Sequence, residues 1–255
     1  MPETIFVHVP YPILRENLDY AAAAGICPEV FLPAEVLDGL DTGELAAVAA
    51  EMRDRGMPCT IHAPFMDLNP GSAEPLLRDA TIHRFRQVMD AAAILLPRCM
   101  VFHPGYDRWR YGSQQEEWLQ RSIPVWEEVV RRAEEIDTVI AVENIFEEEP
   151  STLCMLLDAI EAPRLRHCFD VGHWNLFHAV GLEEWFERLG ARIAEVHIHD
   201  NGGTKDDHGP IGCGTIDFPL FFRLMRQYAP HAVHTIEAHS HRCLEQAIPR
   251  LMEFL

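Results

Sequence analysis

Short runs of β-branched and other apolar residues alternate along the chain with longer stretches whose apolar positions recur every three or four residues. The short runs predict strands at Ile5–Val9, Glu29–Leu32, Cys59–His62, Met100–His103, Val139–Glu143, Arg166–Asp170, Ala194–His199 and Val233–Glu237. The longer stretches predict helices at Ile13–Ala24, Thr42–Arg55, Pro75–Leu96, Gln114–Ile136, Ser151–Ile160, Leu182–Leu189, Phe218–Tyr228 and His241–Phe254. Between Gln115 and Ile136 the period is plain: Trp118, Ile123, Trp126, Val129, Val130 and Ala133 share one face, with Glu and Arg opposite. Ser151 and Asp217 stand where helix N-caps are expected. Strand and helix alternate without a linker, a sequence repeat or a low-complexity segment, which predicts a parallel sheet of βαβ units. Eight such units favour closure into one (β/α)8 TIM barrel, a single domain over residues 1–255 with its active site at the C-terminal ends of the strands.

Composition narrows the function. The chain has 255 residues, 48% hydrophobic and 24% charged, an ordinary globular balance. Against 21 Lys+Arg stand 40 Asp+Glu, a formal net charge of -19. That charge opposes a sequence-independent grip on nucleic acid or an anionic membrane, because such a grip is built from cations on phosphates. The single lysine, Lys205, sits in the polar loop Gly202–Asp207, so pyridoxal and Schiff-base chemistry, which need a pocketed lysine, are not expected. The 7 cysteines are dispersed and never spaced C-x-x-C, the beginning of the chain lacks a basic segment followed by an apolar one, and no apolar run is long enough to span a membrane. A reduced, cytoplasmic protein is the expectation.

The candidate chemistry lies at the strand ends. His8, His62, His103, Glu143, Asp170, His197 or His199, and Glu237 each stand at or near the end of a predicted strand; only the second, ending Leu32-Pro33, offers no such group. His173, Asp206 and His208 follow after short turns. Strand alternation puts His197 and His199 on one face and leaves the choice between them open. Imidazoles and carboxylates without convergent thiolates suit Zn²⁺, Mn²⁺ or a similar ion. Several carboxylates meeting at one mouth would repel one another, and a bound cation resolves that conflict.

The segments Ile61-His62-Ala63-Pro64-Phe65, Phe102-His103-Pro104-Gly105, Val142-Glu143-Asn144, Phe169-Asp170-Val171-Gly172-His173, Val196-His197-Ile198-His199-Asp200, Asp206-Asp207-His208 with Gly212-Cys213-Gly214, and Ile236-Glu237-Ala238 resemble, in that order, the xylose-isomerase-like TIM barrel superfamily. It includes sugar phosphate isomerases and epimerases and the apurinic-site endonucleases of the endonuclease IV type. The resemblance runs from about His8 to Glu237. In the endonuclease branch it implies three zinc ions, one on His62, His103 and Glu143, a second on Glu143, Asp170, His197 and Glu237, a third on His173, Asp206 and His208. In the epimerase branch it implies one metal on Glu143, Asp170, His197 and Glu237, with Glu143 and Glu237 as the acid/base pair. His197 is preferred to His199 on its match to His-x-x-Asp. Cys213 stands where the family has a glutamate between two glycines.

Two chemistries therefore stay open: proton transfer beside a sugar carbonyl, assisted by a metal, and hydrolysis of a phosphodiester by clustered zinc. The charge ranks the first higher, with a small sugar or sugar phosphate as substrate, one to three ions of zinc or manganese, and an oligomeric state that the sequence does not reveal. Three divalent ions would add six positive charges and take -19 only to -13. A third class is a barrel that binds metal or ligand without turnover. Candidate substrate contacts are His8, Phe65, His199 and His239, together with Arg108, Trp109 and Tyr111 in the loop after His103, where an aromatic ring would stack a sugar and Arg108 or Arg110 would hold a phosphate.

Overall fold

In a computed structural model, which describes residues 4–255, eight strands pair in sequence order and all in parallel. They are β1 (Ile5–Pro10), β2 (Cys27–Phe31), β3 (Thr60–His62), β4 (Cys99–Phe102), β5 (Val139–Glu143), β6 (Leu165–Asp170), β7 (Ile193–Ile198) and β8 (Val233–Ile236). Pairing of β1 with β8, Phe6 opposite Thr235, closes the barrel. The surrounding helices are α1 (Tyr11–Glu16), α2 (Leu18–Ala23), α3 (Ala34–Asp38), α4 (Thr42–Asp54), α5 (Pro75–Leu95), α6 (Arg108–Tyr111), α7 (Gln115–Glu135), α8 (Ser151–Ile160), α9 (Val171–Phe177), α10 (Leu182–Leu189), α11 (Phe218–Tyr228) and α12 (His241–Met252). Among the described residues no helix is long and apolar enough to cross a membrane.

The elements differ from the sequence expectation where side chains compete with backbone. The expected helix Ile13–Ala24 is two, because the Asn17 side-chain amide donates to the Ile13 carbonyl at 2.8 Å and ends α1. Asp217 caps α11 as expected, accepting from the Leu220 amide at 2.9 Å. Ser151 does not cap α8; it is the first helical residue, and its hydroxyl donates to Glu149 Oε2 at 2.5 Å. α3, α6 and α9, of 5, 4 and 7 residues, are too short to show a helical period, and each follows the C-terminal end of a strand.

Two environments hold the barrel. Outward strand residues such as Val30, Ile61, Phe102, Ile140 and Val196 pack with Leu45, Phe85, Trp126, Trp185 and Phe221 of the helices in one continuous apolar layer. Burial of this layer is the principal driving force for folding. Inside the barrel the apolar filling is slight: Cys99, Val101, Ala141 and Cys168 form a separate small cluster. Apart from Phe6 and Cys27, much of the remaining interior is polar where barrels ordinarily carry branched aliphatics. Thr60 and Thr235 donate to Glu195 Oε1 at 3.2 and 2.5 Å, and Glu29 faces His197 across the interior. Burial, with the Glu29 charge beside it, pushes the Glu195 carboxyl up to about 8, so it stays protonated at neutral pH. A polar floor thus underlies the mouth.

Candidate metal centre

The C-terminal ends of β3 to β8 deliver their side chains to one point. Glu143, at the end of β5, is its hub: Oε2 lies 3.3 Å from His62 Nε2 and 3.2 Å from His103 Nε2, while Oε1 lies 3.1 Å from His173 Nδ1 and 3.4 Å from His197 Nδ1. His197 Nδ1 is also 3.2 Å from Glu237 Oε1 and 3.8 Å from Asp170 Oδ2. Asp206 Oδ2 accepts from His208 Nε2 at 2.9 Å and lies 3.5 Å from His173 Nε2. The three groups that the family resemblance implies are thus three neighbouring groups in space, joined by Glu143 and His173. His103 and Glu237 stand one residue beyond the strands that carry them, and His199 one beyond β7.

Local structure explains the placement. Asp170 ends β6 and caps α9, its Oδ1 accepting from the His173 amide at 2.6 Å, so one carboxylate oxygen starts the helix and the other faces the cluster. The intervening Gly172 is required by space: a Cβ there would stand 2.0 Å from the His199 ring. Gly172→Ala is expected to displace His199 or the first turn of α9, cost about 1–3 kcal/mol of stability by urea unfolding, and weaken metal binding in the same protein. The segment carrying Asp206 and His208 is held by a two-bond bridge between Asp200 and Gly209, and by the Asp200 carboxylate, which accepts from the Gly214 amide at 2.7 Å. His208 takes a left-handed backbone, φ 46°, a conformation that non-glycine residues adopt at some cost.

Whether these groups suit a cation can be judged from their spacing and their orphaned atoms. Donors on a zinc ion at 2.0–2.1 Å in a tetrahedron stand about 3.3 Å apart. The nitrogen–oxygen separations around Glu143 and Glu237 cluster at that value, from 3.1 to 3.5 Å. Yet Nδ1 of His173, His197, His199 and His208 is buried without a hydrogen-bond partner. Such atoms are costly to bury unless a hydrogen-bond partner or a metal ion satisfies them, and a metal ion would do so here. His62 has its ring fixed from behind, Nδ1–H donating to the Ala63 carbonyl at 2.8 Å, which leaves Nε2 for the cluster.

Electrostatics agree. Burial pushes the Glu143 carboxyl up, but the His197 and His103 rings outweigh it and hold the group well below the usual carboxylate range. Burial pushes His62 down, and Glu143 and Glu29 reverse this, raising the ring to about 9. Asp206 is lowered because His173 and His208 outweigh its desolvation. Charges of both signs are stabilised here largely by one another, the condition in which a divalent ion can replace ring protons.

The remaining sequence candidates divide. His8, Phe65 and His239 line the cavity in front of the cluster, Phe65 stacked on His103 at 4.4 Å and His239 on His208 at 3.8 Å. His199 does not line it: the ring is buried, with Nε2 3.1 Å from Asp170 Oδ2. Nor do Arg108, Trp109 and Tyr111. Arg108 is paired with Glu148, Trp109 is 83% exposed outside the cavity, and Tyr111 is turned inward by α6, its hydroxyl accepting from Asn69 Nδ2 at 2.6 Å. The structure thus places these four residues, expected as substrate contacts, outside the lining of this cavity. Arg110, the alternative phosphate contact, does line the cavity. Cys213 points elsewhere, accepting from Arg250 Nη1 at 2.9 Å.

Sequence reasoning also missed groups. The second strand, read as offering no candidate, carries Glu29 fully buried beside His197 and His8. His241 lines the cavity, bonded to the Tyr20 hydroxyl at 2.9 Å. Glu147, in the loop after β5, is buried, and its Oε2 accepts from the Ile145 amide at 2.7 Å. Burial pushes its carboxyl from 4.5 up to about 7, against that amide. Between those values the unfolded chain ionises Glu147 while the folded chain does not. Its contribution to stability is therefore complete below the window and is lost as pH rises through about 7. Glu147→Gln keeps the acceptor and removes the titration. Urea unfolding is expected to show the variant gaining on the parent between pH 5 and pH 8, by up to about 3 kcal/mol.

A (β/α)8 barrel with imidazoles and carboxylates converging at its C-terminal mouth defines a class, and the comparisons place the chain within it. The protein belongs to the xylose isomerase-like TIM barrel family, which matches residues 18–255. An uncharacterized protein of Methanocaldococcus jannaschii is 30% identical over 213 residues, 80% of this chain and 73% of that protein. A protein of Lachnoclostridium phytofermentans named "Probable endonuclease 4" is 28% identical over 182 residues, 62% of this chain and 57% of its own. Among solved structures, a D-tagatose 3-epimerase-like protein superposes with a TM-score of 0.82 at 26% identity, covering 98% of this chain and 96% of that one. A protein from Thermus thermophilus soaked with ZnCl2 superposes at 0.79 and 27% identity, covering 100% and 98%.

Proposed function

We propose that the protein is a divalent-metal-dependent isomerase or epimerase of a sugar or sugar phosphate, with Glu143 and Glu237 as its acid/base pair and zinc or manganese as its metal. The observation that carries this reading is the convergence of Glu143 Oε1 and Glu237 Oε1 on one buried, orphaned nitrogen, His197 Nδ1, at 3.4 and 3.2 Å. Two carboxylates reaching one point from β5 and from the residue after β8 can address a single substrate carbon from two directions. Glu143, Asp170, His197 and Glu237 would hold the ion, with His62, His103, His173, Asp206 and His208 available for further ions. When bound, such an ion polarises a carbonyl oxygen and its neighbouring hydroxyl and makes the carbon-bound proton easier to remove. The carboxylate on one side takes that proton, and the carboxylate on the other returns it.

The cavity above the cluster, of about 1170 Å³, suits a small molecule. Phe31 and Phe65, 5.7 Å apart and stacked, form an apolar wall for a sugar face, and His8 and His239 stand beside Glu237 as hydrogen-bonding groups. Arg110 is the one Lys or Arg among the described residues that lines the cavity. For a phosphorylated substrate, Arg110→Met is expected to raise KM about 10- to 100-fold with kcat little changed, whereas Arg108→Met leaves both within about twofold. Steady-state kinetics on both variants check this.

A second reading, a zinc phosphodiesterase of the endonuclease 4 type, is favoured by the grouping of His173, Asp206 and His208 into a third donor set and by the endonuclease 4-named relative. The net charge of -19 opposes it. The three glutamates after Phe146 do not add to that opposition: Glu147 is buried, and Glu148 and Glu149 are paired with Arg108 and Arg188. The deciding experiment incubates zinc- or manganese-loaded protein in D2O with a panel of ketoses and ketose phosphates, and separately with abasic duplex DNA at physiological salt. Loss of the α-proton signal by NMR is expected for one member of the panel. DNA cleavage without any exchange would replace this reading by the second.

A further inference from the structure

We infer that Glu29 is a positioning residue that fixes the central metal-binding ring: its carboxylate holds His197 by Nε2, so that Nδ1 faces Glu143, Asp170 and Glu237. The inference rests on the metal-site reading above. Glu29 is fully buried on β2, yet among the described residues its oxygens meet two histidine rings and no guanidinium or ammonium: Oε1 is 2.9 Å from His197 Nε2, and Oε2 is 2.7 Å from His8 Nδ1. An ionised carboxylate only accepts hydrogen bonds, so each of those nitrogens carries the hydrogen that points at it. A neutral imidazole protonated on Nε2 has its lone pair on Nδ1. That is the atom of His197 left buried without a hydrogen-bond partner and surrounded by three carboxylates.

A ring free to turn about its Cβ–Cγ bond could present either nitrogen or neither. With Glu29 behind it, His197 presents one nitrogen in one direction. The same carboxylate orders His8, whose Nδ1 also lies 3.5 Å from Glu237 Oε1. One buried side chain therefore sets a central ring of the cluster and a wall of the substrate cavity together. Beneath it Glu195, bonded to the hydroxyls of Thr60 and Thr235, supplies no competing cation. Carboxylates that orient metal-bound histidines in this way ordinarily contribute 10- to 100-fold in metal affinity.

The test is zinc affinity of the purified full chain by competition with a chromophoric chelator, comparing the parent with Glu29→Gln and Glu29→Asp. Glu29→Gln is expected to bind zinc about 10- to 100-fold more weakly and to alter the visible spectrum of the cobalt-loaded protein, with far-UV circular dichroism unchanged; Glu29→Asp recovers part of the affinity. A parent that binds zinc tightly alongside a Glu29→Gln protein of equal affinity and equal cobalt spectrum would overturn the inference and leave the metal reading standing. A parent that binds no divalent ion would overturn both. A measurement needing no variant decides the case in which Glu29→Gln does not fold. The ¹⁵N shifts of the zinc-loaded parent are expected to show His197 protonated at Nε2 and not at Nδ1, and the reverse tautomer, or an ion held among Glu29, Glu195 and His197 instead, would overturn the inference.

Discussion

Replacing Glu143 or Glu237 by Gln is expected to lower epimerisation by a factor of about 10² to 10⁴, the range that general acid–base groups contribute. Glutamine preserves the size of each side chain and one oxygen toward the cluster, but it can neither take nor give a proton. The two variants should differ in an informative way. Epimerisation needs removal on one side and return on the other, so either change stops it. Exchange with solvent needs one carboxylate only. Glu237→Gln should therefore retain deuterium exchange from the epimer whose proton faces Glu143, and Glu143→Gln should retain it from the other. Both residues also face His197, so each variant's metal content must be measured beside its rate. Equal loss of exchange from both epimers at unchanged metal content would count against a two-carboxylate mechanism.

The barrel was legible because closure of a (β/α)8 unit imposes one repeated pattern, apolar strand then amphipathic helix, and nothing in this chain interrupts it. The cluster was legible for a related reason: strand ends all face one mouth, so a His or Asp at an end is already a statement about location. His62, His103, Glu143, Asp170, His197 and Glu237 could be read in this way. Glu29 could not. It lies within β2, two residues before the strand ends, and its partner His197 is 168 residues away, brought close only when β2 and β7 face one another across the closed barrel. The available signal was an acid opening the apolar run Val30-Phe31-Leu32, in a strand whose first four residues are buried on both faces. The path of the loop after β4 was illegible for the opposite reason. Arg108, Trp109 and Tyr111 read as phosphate and sugar contacts, but Asp107 caps α6 through the Trp109 amide at 2.8 Å, and that single turn sends Tyr111 into the protein and leaves Arg110 toward the cavity.

Removing metal with a chelator should abolish proton exchange and lower the thermal midpoint, and re-adding zinc or manganese should restore both. The stability change follows from mass action: an ion that binds only the folded chain adds about 1.4 kcal/mol for each tenfold excess of its free concentration over its Kd. The metal-free cluster has a compensating state, in which protons on the His62, His173 and His197 rings balance Glu143, Asp170 and Glu237, so the barrel is expected to remain folded without metal. The rings are already delivered by strand ends and by the capped turn of α9, so loss of the ion should change the midpoint rather than the secondary structure. Stoichiometry then bears on chemistry. In the proposed reading, one ion per chain would be held by Glu143, Asp170, His197 and Glu237 and would leave His208 and His173 free for substrate. Two or three ions would also be held by His173, Asp206 and His208, would remove those rings as hydrogen-bonding groups for substrate, and would supply the Lewis acidity that the phosphodiesterase reading needs. Counting ions by mass spectrometry in protein purified without chelator, alongside the exchange assay on the same sample, therefore tests the reaction class as directly as any substrate, because the same side chains cannot serve both roles at once.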